Sequence, residues 1–243
     1  MSEGFAASFA EMPQHDRYKL LCAAVVPRPI ALVTSLDEAG RVNAAPFSFF
    51  NVFSEEPPLI VLGLQSKANG APKDTTRNIR RGGEFVVHLV DEPLAEAMNV
   101  CAVDFPPELS EIEAAKLDLV PSVEIPVPRI AMAPFALECR SEIVLSFGPE
   151  RDLAVGRVLH FHARAGLVDP ISLRVDFAAY HPVGRLFGDL YTRQRDVFTL
   201  KREGFAEWQA RQDGQTQTNA LRHDHASAGR KAAQGEGGEK ITR

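Results

Sequence analysis

The stretch from Phe135 to Ala165 does most to restrict what this chain can fold into. Phe135, Leu137, Cys139, Ile143, Leu145 and Phe147 all share one parity, the period of a strand with one apolar face. Pro149-Glu150-Arg151-Asp152 then turns the chain, and Leu153 to Ala165 runs back as a long partner. A long antiparallel ribbon of this kind is not stable alone and calls for further strands. The sequence supplies them. Ile30 to Leu36, the turn Asp37-Glu38-Ala39-Gly40 and Val42 to Phe50 read as a hairpin. Pro58 to Leu64 and Glu84 to Val90 are apolar runs of buried-strand type. The expected fold is mainly β, a six-stranded antiparallel barrel or sandwich.

Short helices fit around it. Asp74 to Arg81 reads as one, with Asp74 as its N-cap and Gly82-Gly83 as its stop. Asp91 to Asn99 reads as a second, with Pro93 in its first turn. Ser110 to Glu113 has the form of a capping box that opens a third. Beyond Gln209 the large aliphatics are Leu221 and Ile241, too few to offset the ordering entropy of the segment. The expected organisation is one domain over residues 1–202 and a polar tail over 203–243, either flexible or a loosely attached helix around Trp208.

Bulk properties exclude several classes. With 243 residues, 45% of them hydrophobic, the chain can bury one full-sized core. A net charge of -5 without a basic stripe argues against nucleic acid as a partner. Pro57 to Leu64 is among the longest apolar runs and is far too short to span a bilayer. The N-terminus has no basic region followed by an apolar one, so no secretion signal is read there. Cys22, Cys101 and Cys139 form no CxxC and read as buried free thiols of a reducing compartment, which points to the cytoplasm.

Four segments carry chemistry. Lys73-Asp74-Thr75-Thr76-Arg77-Asn78 puts a lysine and hydroxyls at a helix start, where unpaired N–H groups favour a phosphate. On spacing alone the plainer reading, a capped surface helix with an ordinary charge cluster, is favoured over the phosphate site. Ala45-Pro46-Phe47-Ser48-Phe49-Phe50-Asn51 places a serine among aromatics. Pro46 breaks the ladder there and leaves backbone groups for a ligand, although a plain core strand has the same pattern. Arg28, between Pro27 and Pro29, reads as either a surface residue or an anion contact. His160 and His162 point the same way on a strand but lack a third metal ligand, so no metal is expected. His223-Asp224-His225 reads as part of a solvated tail. No nucleophile–base arrangement is evident.

Arg28-Pro-Ile-Ala-Leu-Val-Thr-Ser-Leu-Asp37, Gly40 to Asn51, Lys73 to Asn78 and Gly83 to Leu89 stand in an order that resembles the flavin-reductase-like, FMN-binding split-barrel family. Pro182 to Tyr191 is similar to the family's closing motif, although Leu186-Phe187-Gly188 departs from its usual paired glycines. The resemblance spans about Tyr18 to Arg202. It implies a six-stranded antiparallel split β-barrel of Greek-key type that forms a homodimer and binds FMN at the subunit interface. It also implies reduction of flavin by NADH or NADPH, often for a partner monooxygenase. By position it places Lys73 and Thr75 on the phosphate and Ser35, Asn43, Ala45, Phe47 and Ser48 along the isoalloxazine. Arg185 and Tyr191 approach the flavin or its phosphate, and His162 stands towards the nicotinamide or serves the strand structurally. Two alternatives share the fold: an FMN electron carrier of the flavoredoxin kind, and an oxidase of the pyridoxamine-phosphate type. Hydride transfer needs no acid or nucleophile from the protein, so the absence of a triad is expected.

Overall fold

The computed structural model describes residues 4–67, 70–106 and 108–212. In chain order the elements are α1 (Gln14–Ala24), β1 (Ala31–Leu36), β2 (Val42–Phe47), β3 (Phe50–Glu55), β4 (Pro58–Gln65), α2 (Asp74–Gly82), β5 (Glu84–Leu89), α3 (Glu92–Val100), α4 (Glu111–Ala114), β6 (Leu119–Val120), β7 (Arg129–Ile130), β8 (Phe135–Ser146), β9 (Arg151–Ala163), β10 (Val183–Arg185) and β11 (Tyr191–Arg193). The chain divides into two compact units, Met1–Arg195 and Asp196–Arg243. In the second, residues 205–212 are helical and the rings of Phe205 and Trp208 stack at 6.0 Å. His223-Asp224-His225 lies outside the described residues.

One antiparallel sheet of seven strands dominates the first unit, in the order β2-β1-β5-β8-β9-β4-β3. Its two edge strands, β2 and β3, are consecutive in the chain and separated only by Ser48 and Phe49. The sheet must curl until those edges meet, which makes a barrel. The missing ladder between them splits it. The strand read from Val42 to Phe50 is therefore two strands. The expected six become seven, because the chain bends at Ser48-Phe49 and resumes pairing with β4 instead of β1. Gly63 lets this happen. Its N–H donates to the Phe49 carbonyl at 2.7 Å, and a Cβ there would lie 2.8 Å from the Phe49 Cβ.

Strand β1 is buried on both faces, which explains its continuous apolar run. Ala31 and Val33 join Phe50, Ile60, Leu62 and Phe85 inside the barrel. Ile30 and Leu32 join Leu94, Met98 and Ile112 in a second core under α3 and α4. The hairpin turn is as expected: the Asp37 carboxylate accepts from Ala39 and Arg41 N–H, and Gly40 takes φ +76°. The β8 stripe is not uniform. Leu137 and Cys139 are buried, but Ile143, Leu145 and Phe147 are exposed, because the β8–β9 register shifts between Glu138 and Cys139 and again between Ser141 and Ile143. All three cysteines are buried and unpaired. Helix α1 was not anticipated. It buries only Cys22, so its sequence carries no apolar stripe to read.

Candidate cofactor site

Two clefts meet at the break between β2 and β3. The first, of about 590 Å³, is lined by Asn43, Ala45 and Phe47 of β2 and by Lys73, Asp74 and Thr75 at the start of α2. The second, of about 500 Å³, is lined by Arg28, Phe47, Ser48, Asn99, Arg185 and Tyr191 among others. Pro46, Phe47 and Ala102 line both, so the clefts form one continuous groove. Most of the site residues read from the sequence stand on it.

The α2 start is open. Lys73, not Asp74, is the N-cap, and no side chain caps the first turn. Asp74 is drawn outward instead, pairing with Arg77 one turn on and with Lys67 at 3.4 Å. The first N–H groups of α2 are thus available to an anion at the positive end of the helix dipole. Lys73, the N-cap itself, carries its Nζ 3.8 Å from the exposed Asp104 carboxylate. Two side-chain hydrogen bonds fix α2 against the sheet: Asn43 Nδ2 donates to Thr75 Oγ1 at 2.9 Å, and Asn78 Nδ2 donates to Ser35 Oγ at 3.0 Å.

The second contact corrects one assignment. Ser35 is fully buried beneath α2 and lines neither cleft. It holds the helix that carries the open N-terminus and touches no groove. His162 lines neither cleft either. Its Nε2 lies 2.5 Å from the Glu138 carboxylate, which also accepts the N–H groups of Val123 and Glu124 at 2.7 Å. Burial pushes the Glu138 carboxyl up, but the His162 contact and the two backbone donors outweigh it and lower its pKa. The histidine therefore serves the strand wall, which is the structural alternative. Asn51 also stays local, its side chain accepting the Val52 N–H at 2.8 Å.

Arg28 was left undecided by the sequence and proves central. It is only 7% exposed, and its guanidinium donates to Ser48 Oγ at 3.4 Å, to the Leu186 carbonyl at 2.8 Å, to the Val25 carbonyl at 3.1 Å and to the Cys22 carbonyl. Its backbone pairs with that of Arg185 in both directions, at 3.0 and 2.9 Å. One side chain thus ties the end of α1, the β2–β3 bend and the 185–191 loop around the second cleft. Arg185 donates to the Tyr191 hydroxyl and lies with its Cζ 4.5 Å from the Tyr191 ring centroid. Tyr18 of α1 and Asn99 of α3 complete that wall and had no signal in the sequence. Among the described residues no cluster of three or more metal-ligating side chains occurs, and no helix is long and apolar enough to cross a membrane.

Comparison with known proteins places this geometry. A protein of Halalkalibacterium halodurans is 45% identical over 196 residues, covering 79% of this chain and 93% of its own. A protein of Deinococcus radiodurans is 44% identical over 213 residues, covering 84% of this chain and 93% of its own. Among solved structures, 2-nitrobenzoate 2-nitroreductase of Pseudomonas fluorescens aligns with a TM-score of 0.76 at 40% identity, over 83% of this chain and 98% of that one. Nitrilotriacetate monooxygenase component B of Bacillus cereus aligns with a TM-score of 0.78 at 38% identity, over 82% of this chain and 100% of that one. The model of the flavin reductase like domain matches residues 23–182, most of the first unit, and the chain accordingly belongs to that family of split-barrel proteins.

Proposed function

We propose that the chain is an FMN-dependent flavin reductase that oxidises NADH or NADPH, acts as a cytoplasmic homodimer and supplies reduced flavin to a monooxygenase. One observation carries the reading: the uncapped start of α2 opens into the same groove as the β2–β3 break, where the strand ladder is missing. These residues fit FMN. The first turn of α2, Lys73 and Thr75 hold the phosphate. Asn43, Ala45 and Phe47 line the ring, with an apolar wall and polar backbone at one edge. Ser48, Arg185 and Tyr191 stand at the far end of the groove. When bound, the flavin supplies the hydride-accepting centre. The protein's part is to fix the ring against the barrel, keep water from one face and leave the other face open to a second substrate.

The 38–40% identity to a monooxygenase component and to a nitroreductase supports electron delivery in both cases, one to a partner protein and one to an organic substrate. The deciding experiment is the visible spectrum of the purified protein followed by NADH and NADPH oxidation with and without added FMN. Flavin-dependent consumption of either nucleotide supports the reductase. Tight FMN binding with no turnover by either nucleotide transfers the proposal to an electron carrier of the flavoredoxin kind. Oxidation of pyridoxamine phosphate, which is not expected, would overturn both.

A further inference from the structure

Two arginines face the second cleft, and among the described residues neither has a carboxylate partner. Arg28 is buried against the Ser48 hydroxyl and three carbonyls, all of them neutral. Arg185 donates to the Tyr191 hydroxyl and the Gly188 carbonyl, again neutral. Several arginines elsewhere in the first unit do have carboxylate partners: Arg80 pairs with Asp152, Arg157 with Glu142 and Arg164 with the buried Asp91. A buried guanidinium without a counter-charge is costly, and carbonyl dipoles offset only part of that cost.

Arg28 and Ser48 both line the second cleft, and each has a donor left over. A guanidinium has five N–H donors, and Arg28 commits one through Nε, two through Nη1 and one through Nη2. One Nη2 hydrogen remains. Ser48 Oγ accepts from Arg28, so its own hydrogen is free to donate. Much of the remaining wall is aromatic or apolar, with Tyr18, Phe47, Phe187, Tyr191, Met98 and Ile30, and Asn99 adds a neutral amide. The carboxylate of that lining, Asp189, is exposed.

We propose that the second cleft takes a planar organic monoanion, an electron-accepting substrate other than NADH or NADPH. Its charged group meets Arg28 and Ser48 and its flat body lies against the aromatic wall. The assignment of this occupant as a reaction partner rests on the flavin reading, because Pro46, Phe47 and Ala102 are shared with the first cleft. The anion preference itself does not.

Benzoate and benzamide test it, since they share a shape and differ in charge. FMN binding is first measured by flavin fluorescence, and both probes are then titrated by calorimetry into the flavin-free and the FMN-saturated chain. Failure to bind FMN would count against the flavin reading and leave the titration of the flavin-free chain intact. The expected result is benzoate binding about tenfold or more tighter than benzamide, as a charge-assisted hydrogen bond gives. FMN and benzoate should bind together, and Arg28→Gln should bring the preference for benzoate below about threefold with Arg28→Lys intermediate. Equal affinity for the two probes, or displacement of benzoate by FMN, would overturn the proposal. The probe exchange is made on the unchanged protein, so misfolding of a variant does not affect it.

Discussion

His88 sits fully buried on β5, with Nδ1 2.8 Å from the Leu32 carbonyl and Nε2 2.9 Å from the Ile130 nitrogen. Only the neutral ring protonated at Nδ1 satisfies both contacts, because a proton on Nε2 would face the Ile130 N–H. Burial is the main cause that lowers its pKa from 6.5 to about 4, with Arg129 and His162 adding to it and the Leu32 contact opposing. Above pH 6.5 neither state takes up a proton there, so the full contribution is present. Between 6.5 and about 4 the unfolded chain binds a proton that the folded one excludes, and stability falls as the pH falls, by about 3 kcal/mol in all. Urea titrations from pH 7.5 to 4.5 should show this slope, and His88→Gln should flatten it while lowering stability throughout. The Glu138 contribution is separate, since a lowered carboxyl loses its effect only below its ordinary value of 4.5. The groove residues make an opposed pair of predictions. Lys73 is partly exposed and shares its charge with Asp104. Lys73→Ala should therefore weaken FMN binding by only about 1 kcal/mol, roughly fivefold in Kd. Asp104→Asn should tighten it about twofold by freeing the lysine. Fluorescence titration of FMN reads both, and no change in the lysine variant would remove the phosphate from the start of α2.

At the scale of elements, the hairpin β1–β2, the ribbon β8–β9 and helices α2 and α3 were legible because each has its own local signal. Those signals are turn residues for the ribbons, a glycine stop for α2 at Gly83 with φ +72°, and Asp91 accepting the Leu94 N–H for α3. What escaped depends on contacts distant in sequence. The bend at Ser48-Phe49 is made by Gly63, which no local pattern around Phe47 reveals. Ser35 reads as a ring contact until Asn78 is seen to cover it. Arg28 takes its meaning from Ser48 and Leu186, far along the chain. Close approach also fixes Gly156 in β9, which has a neighbouring element to explain it. A Cβ there would lie 2.6 Å from Phe85 Cζ and 3.3 Å from Ile60 Cδ1, both fully or almost fully buried inside the barrel. The Phe85 ring has nowhere to move, so Gly156→Ala should cost about 1–3 kcal/mol by overpacking, against a gain for an ordinary strand glycine. Thermal unfolding followed by circular dichroism measures it. An unchanged or raised Tm would show that the barrel interior yields at that point.

For the whole molecule, the question is what covers the outside of the barrel. The register aligns Val61 of β4 with Val155 of β9 and Ile143 of β8, and in the next row but one Gly63 with Leu153 and Leu145. Ile60, Leu62 and Ala154 point inward, so by alternation this row set points out. Ile143 is 48% and Leu145 41% exposed, and Phe147 is exposed beyond them. A band of β-branched and aliphatic side chains across three adjacent interior strands is not the solvated outer face an antiparallel sheet normally shows. A second copy of the chain is the occupant the proposed homodimer supplies, and an apolar central patch is what a permanent subunit contact needs. Leu145→Glu places a charge on the β8 side of that band without touching either core or either cleft. The expected outcome is a shift from dimer to monomer in sedimentation velocity, with far-ultraviolet circular dichroism unchanged. If FMN needs the second subunit, its affinity should fall with dissociation, although the substitution is remote from the α2 start. A Leu145→Glu protein that sediments as the parent does would place the subunit contact on another face.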